Sequence, residues 1–307
     1  MQEAQQAANN GTAAIGISAD RIVVLSATDE EQPVTQTASV MTISENTSAY
    51  TVAGLEYYTY GYGTTTDAPV IYPEWIVYNI RNCSSTIIPE SKKDICMAIT
   101  RYMLSAGYEV AFIAGLLANI VFEGSVGKFE SSNYSTNAKP DYLTYMDTEY
   151  NGENFYLNNY SGKTIMEVNV QTVWEMLNDL RTRSQNTWQI GNTRVGFGLG
   201  SIQWTFGRAY LLACLYRDMV GVGTTITTEQ ALSAEVSMIM NELQSSQYNG
   251  IITRWRNDCV SNMHSEAAAY AAGSLLCRYY LVPNNTTEQT NNRGLRAEAI
   301  YLAMYGQ

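Results

Sequence analysis

The stretch AFIAGLLANIVFEGS, residues 111–125, limits what this chain can fold into more than any other. A surface helix keeps a polar face, but here a single Asn interrupts a run that is apolar or small all the way round. A helix built from it has to be enclosed by other elements. At about a dozen residues the run falls well short of the roughly 20 needed to cross a bilayer, so no membrane span is expected. The reading is a buried central helix of a globular domain, starting near Glu109 and ending at Glu123.

The flanking segments supply the cover. In SKKDICMAITRYMLSAG the residues Ile95, Ile99, Met103 and Leu104 recur on one face; Ser91 is placed to cap this helix and Gly107 to stop it. Beyond the apolar run, residues 124–165 are rich in Gly, Asn, Ser and Tyr, and NFYLNNYSGKTI reads as a hairpin within the rim of a cleft. Helical patterns resume in NVQTVWEMLNDLRTRS and, after the Gly-rich VGFGLGSIQWTFG, in four further stretches. These are RAYLLACLYRDMV, EQALSAEVSMIMNELQSS with Thr227 and Gln230 as a capping box, SEAAAYAAGSLLCRYYLV closed by Pro283, and NRGLRAEAIYLAMYG. Residues 1–75 differ in texture, being rich in Thr, Val, Ser and Tyr with alternation and no helical period. The expected architecture is mainly α (α+β): a helical domain over 78–307 with a small β/loop cleft rim, preceded by a strand-rich or extended segment over 1–77.

Composition excludes several kinds of function. The chain of 307 residues has 46% hydrophobic and 15% charged residues and 23 Tyr, which places it among ordered globular proteins. Its net charge of −11 is not offset by any basic stripe, so nucleic acid is not an expected partner. Anionic walls and membranes would not attract it at long range either, so a protein working on a wall needs to be delivered there. The start, MQEAQQAANNG, lacks the basic lead and apolar centre of a secretion signal. The 5 cysteines, Cys83, Cys96, Cys214, Cys259 and Cys277, form no CxxC pair. No metal or other cofactor is expected. Cys214 and Cys277 read as core residues, and Cys83 with Cys96 as the sequence-close disulfide candidate. His264 has no neighbouring motif, which argues against Cys-His or His-ligated zinc chemistry, and no Lys-Ser/Thr follows the glycines as a phosphate loop requires.

Glu123 is where chemistry is expected. Burying a carboxyl at the carbonyl end of an apolar helix disfavours its charged form, and an acid kept protonated near neutral pH can hand its proton to a leaving oxygen. AFIAGLLANIVFEGS followed by GFGLGSIQWTFGRAYLL resembles the phage tail lysozyme family, within the wider lysozyme-like fold. In that family a helix of the form AAGxxxNxxxES ends in the catalytic Glu, and a later Gly-x-x-Gln-Trp segment lines the glycan cleft. AEVSMIMNEL and AAAYAAGSLLCRYYLVP resemble the later core helices, so the likeness spans roughly 90–306. Two departures are Gly124 where the family has Ser, and a long span between Glu123 and the Gly-Trp segment.

The resemblance implies that Glu123 is the general acid at the β-1,4 bond between N-acetylmuramic acid and N-acetylglucosamine, with Gln203 and Trp204 holding the sugar. The glycines of GFGLGS would let backbone approach the ligand and Trp204 would offer an apolar face. A second carboxylate, where one takes part, would come from Glu130, Asp141, Asp147 or Glu149, with Asp141 preferred. Hydrolysis and a lytic transglycosylase route both fit. The implied partner is a peptidoglycan glycan strand, with other phage tail proteins engaged through residues 1–77. The implied location is a virion tail, or the extracellular wall for a secreted remodeller. The rival class is an inactive structural, assembly or glycan-binding protein on the same fold.

Overall fold

A computed structural model describes strands at 14–18, 21–25, 39–42 and 51–52, and residues 73–134, 139–221, 223–283 and 286–307. Strands β1 (Ala14–Ser18), β2 (Arg21–Leu25), β3 (Ser39–Thr42) and β4 (Thr51–Val52) form an antiparallel meander in chain order. Its register pairs Ile17 with Ile22, Ile22 with Met41 and Met41 with Val52. The strand-rich character expected of the amino-terminal segment lies here.

From residue 73 onward the chain is helical. Helices α1 (Pro73–Asn82), α2 (Glu90–Ser105) and α3 (Val110–Phe122) come first, and α3 is the enclosed helix. Its residues from Ala111 to Ile120 are fully buried. Next come α4 (Asp141–Thr148), α5 (Phe155–Asn159), a 3-10 turn at Ile165–Glu167, α6 (Val170–Arg183), and a two-stranded ribbon of β5 (Gln189–Ile190) and β6 (Thr193–Arg194). The carboxyl-terminal half adds α7 (Phe206–Val220), α8 (Thr228–Gln244), α9 (Asn249–Asp258), α10 (Glu266–Leu276), a π-turn at Cys277–Leu281, and α11 (Thr286–Met304). Among the described residues no helix is long and apolar enough to cross a membrane.

Small residues decide how α3 is enclosed. Helix α10, EAAAYAAGSLL, lies against both α3 and α11. A Cβ added at Gly115 of α3 would lie 2.4 Å from Ala272 Cβ and 2.6 Å from the Gly273 nitrogen. Gly inside a helix costs about 1 kcal/mol relative to Ala, and this contact is what it permits.

Five expectations change. Ser91 lies inside α2 and Pro89 precedes the first turn, because Pro tolerates the helix start, where an N–H has no partner anyway. NFYLNNYSGKTI is α5 and a turn, not a hairpin: Tyr156 and Tyr160 are both buried at a spacing of four, with ring centroids 6.1 Å apart, a helical period rather than a strand's. Helix α9 escaped the sequence patterns, although it buries Trp255, whose indole N–H donates to the Ala268 carbonyl. Cys83 and Cys96 are free thiols. The boundary expected at 77/78 falls inside α1, whose Ile76, Val77 and Ile80 are buried, so among the described residues the helical body reaches back to residue 73.

Candidate active site

Glu123 is the residue at which α3 stops. Its backbone leaves the helix in an extended conformation (φ −97°, ψ −156°) while its N–H still donates to the Ile120 carbonyl at 3.1 Å. Lys92, buried on α2, supplies the cap: its Nζ donates to the carbonyls of Ile120 at 3.1 Å and Glu123 at 2.6 Å. A cation at the carbonyl end of a helix answers both the unpaired acceptors and the macrodipole. Burial pushes the Lys92 ammonium down to about 8, against the opposing pull of Cys96, Glu123 and Glu235.

The Glu123 side chain is 20% exposed and meets a guanidinium, not an apolar wall. Arg293 of α11, 2% exposed, donates from Nη2 to Glu123 Oε1 at 2.5 Å. Its Nη1 donates to Asn119 Oδ1 at 3.1 Å, and Asn119 Nδ2 donates to the carbonyls of Gly115 at 2.8 Å and Gly273 at 3.0 Å. The expectation of greasy surroundings for this carboxyl is thus corrected. Gly115, Asn119 and Glu123, four residues apart and so on one face of α3, serve one junction. The glycine admits α10, the asparagine ties α3 to α10 and α11, and the glutamate takes the cation.

Beside this junction three segments lie edge to edge. The Phe129 N–H donates to the Lys163 carbonyl at 2.9 Å, the Glu130 N–H to the Gly198 carbonyl at 2.8 Å, and the Gly200 N–H to the Lys128 carbonyl at 2.8 Å. This strip is the β/loop rim, and it carries Glu130. Glu130 Oε2 accepts from the Gly198 N–H at 2.8 Å, while Tyr142 and Tyr134 donate their hydroxyls to Oε1 at 3.0 and 3.1 Å. Burial raises the proton affinity of Glu130, these donors oppose the rise, and the charge on Glu123 adds to it. Two carboxyls that feel one another are therefore in place.

The other acids do not join them. Asp141, the preferred partner in the sequence reading, is exposed in the first turn of α4. Asp147 is consumed structurally by an ion pair with Lys139 and by the Leu157 N–H at 2.6 Å, and Glu149 is exposed at the end of α4. Residue type did not distinguish Glu130; its position at the centre of the strip does.

Gln203 comes up against the residue after Glu123. A Cβ at Gly124 would lie 2.3 Å from Gln203 Nε2 and 2.4 Å from the Gly200 carbonyl. Loop 198–204 packs against this backbone and leaves no room for a side chain at position 124. Gln203, with φ +52°, donates from Nε2 to the carbonyls of Gly200 at 2.9 Å and Lys128 at 3.1 Å. A Cβ at Gly198 would lie 2.8 Å from both Gln203 Oε1 and Glu130 Oε2, so amide and carboxyl lie around the same point.

Trp204 requires a correction. It is 0% exposed, and its indole N–H donates to Glu242 Oε2 at 2.9 Å, so its ring offers no face to a sugar. Its neighbour Gln203 stays on the outer side of a tight turn, whereas Trp204 turns inward as the loop's anchor. Helix α8 holds Trp204 and the backbone at Gly127 and Ser201 with two buried glutamates that sequence reasoning passed over. Glu235 accepts from the Gly127 N–H at 2.6 Å, the Ser201 N–H at 2.9 Å and Tyr216 at 2.6 Å. Glu242 accepts from Trp204, Arg208 and Tyr280. A Glu at i and i+7 inside an apolar helical pattern was the available signal. Exposed aromatic surface beside the two carboxyls comes instead from Phe122 and Tyr134, each 42% exposed.

Among the described residues no cluster of His, Cys, Asp or Glu could hold a metal ion. Compared with known proteins, residues 94–304 match the profile of a family described as phage tail lysozyme. No curated protein and no solved structure matches the chain.

Proposed function

The chain belongs to the phage tail lysozyme family, and from that membership we propose that it cuts the β-1,4 bond between N-acetylmuramic acid and N-acetylglucosamine, with Glu123 as general acid. Membership makes the helical body a lysozyme-like cell-wall hydrolase domain whose substrate class is peptidoglycan. The finer assignment rests on one observation: the carboxamide of Gln203 packs against the residue after Glu123, at the end of the buried helix, and meets the Glu130 carboxyl around Gly198.

Glu123 gives its proton to the glycosidic oxygen as the C1–O bond breaks, and positive charge grows on the sugar ring. Glu130 is the second carboxylate. In its ionised form it takes a proton either from water, giving hydrolysis, or from a hydroxyl of the same sugar, giving an anhydro product. Gln203 holds the sugar's polar groups, and Phe122 and Tyr134 provide the apolar contact once assigned to Trp204. A place at the tip of a phage tail, opening the wall locally, suits an acidic protein that is tethered rather than drawn to its substrate.

Incubating purified peptidoglycan with the protein and weighing the released sugars by mass spectrometry tests the activity, the bond and the route together. Glu123→Gln is expected to lower the rate about 10³-fold with the helical CD spectrum unchanged. Glu130→Gln is expected to lower it about 10²-fold, mainly in kcat. A wild-type protein that releases no sugar ends establishes the rival reading, a binding or assembly protein on this fold.

A further inference from the structure

We propose that Arg293 is a positioning residue for Glu123, fixing the carboxyl at the end of the buried helix. The inference rests on the reading of Glu123 as the catalytic acid, and its starting point is an arrangement that stability alone does not account for.

Arg293 is 2% exposed, and its Nε has no hydrogen-bond partner. Burying a guanidinium with one donor unsatisfied is costly, and replacing a buried ion pair by apolar residues is often neutral or stabilising. The ordinary way to end α3 is already present in Lys92, which takes the helix's last carbonyls. Arg293 contributes nothing to that cap. It holds side chains instead: Asn119 Oδ1 through one terminal nitrogen and Glu123 Oε1 through the other.

The helices are shaped to bring it there. A Cβ at Gly273 of α10 would lie 2.6 Å from the Arg293 carbonyl, and one at Gly294 of α11 would lie 2.6 Å from the Tyr270 ring. Two close approaches therefore draw α11 against α10, and α10 in turn sits in the notch at Gly115. The planar fork of Arg reaches both acceptors from a fixed base, which the single ammonium of Lys does not reproduce. The same guanidinium lies 5.6 Å from the Phe122 ring centroid, with Arg296 5.7 Å from it on the same ring. The residue before Glu123 is thereby held as well.

Each neighbouring element presents a charged or titratable group to Glu123. Lys92 comes from α2, Glu130 from the edge strip, Cys277 from the π-turn and Arg293 from α11. Arg293 is the one that donates to the carboxyl itself.

The test is steady-state kinetics on purified peptidoglycan for wild type, Arg293→Lys and Arg293→Met, each with a thermal melt. For Arg293→Met, kcat is expected to fall about 10²-fold with KM within about twofold, the loss typical of a misplaced catalytic group. Arg293→Lys is expected to recover only part of that loss, with kcat about tenfold below wild type, because charge returns without the hold on both acceptors. Activity lost in Arg293→Met only in step with melting temperature overturns the proposal. Where Arg293→Met does not fold, Arg293→Lys decides: wild-type kcat overturns it. Glu123→Gln keeps the two readings apart, since full activity in that variant removes the catalytic assignment, whereas its inactivity beside a near-wild-type Arg293→Met removes only the role of Arg293.

Discussion

Gly124 shows how far one missing carbon reaches. The space its Cβ would fill belongs to the Gln203 amide and the Gly200 carbonyl, so Gly124→Ser must push loop 198–204 away from the end of α3. Overpacking of this kind costs roughly 1–3 kcal/mol. The expected result is a lower melting temperature together with a loss of activity greater than that of an exposed control substitution. Lys92 gives a second prediction, in which the sign matters. Its folded value of about 8 lies below the roughly 10.4 of an unfolded lysine, so the penalty of burying its charge is present below pH 8. As pH rises above 8 the unfolded chain binds a proton that the folded one has released, and the penalty lifts. Urea unfolding at pH 7.5 and 9.5 is expected to show wild type gaining up to about 2 kcal/mol relative to Lys92→Met across that interval. A constant difference between the two proteins at both pH values would refute it. At this scale the place of Glu123 at the end of a buried helix was legible, because an acid ending an apolar run is conspicuous in any sequence. Arg293 was not, since nothing local marks it and it pairs with Glu123 across 170 positions. Trp204 was misjudged because an aromatic beside glycines suits a ligand and a core equally, and only burial separates them.

Elements were read well where one helical period carried the signal. The Thr227–Gln230 capping box at the start of α8 is present with both reciprocal hydrogen bonds, and the apolar run became the enclosed α3. Reading failed in the polar span, where tyrosines serve both as strand formers and as the buried face of α5. Helix α8 carries the clearest consequence. Its Glu235 and Glu242 stand two turns apart on one face and hold the two loops that position Glu130 and Gln203. Glu235 accepts from two backbone N–H groups and a tyrosine, so Glu235→Gln turns an NH₂ toward donors and is expected to cost about 2–3 kcal/mol. Burial raises the Glu235 carboxyl above its ordinary value. Its contribution to stability is therefore full below the unfolded value near pH 4.3, and is lost as pH rises through the folded one. Melting curves from pH 4 to 7 are expected to fall less steeply for Glu235→Gln than for wild type. Equal slopes would mean that this glutamate is not what titrates.

For the molecule as a whole, α1 bears on where the working body begins. Texture alone placed the change near residue 77, because Thr- and Tyr-rich sequence gives way to helical sequence over several residues with no sharp marker. The side chains are more specific. Ile76 and Ile80 are fully buried, and Asn79 donates to the Met304 carbonyl at 3.0 Å, so α1 joins the start of the helical body to its end. Two truncations separate the possibilities. Removing residues 1–72 is expected to leave the helical CD spectrum, a melting temperature within a few degrees of the parent, and peptidoglycan cleavage, since the buried side chains of α1 all remain. Removing residues 1–77 takes away Ile76 and Val77 and breaks α1 in its middle. Losing two buried aliphatic residues costs on the order of 4 kcal/mol, which for a body of this size lowers melting by about 10 °C. Equal melting temperatures for the two would show that α1 carries no share of the stability. A collapse of the shorter deletion would show that the strand-rich segment is part of what holds the helices together.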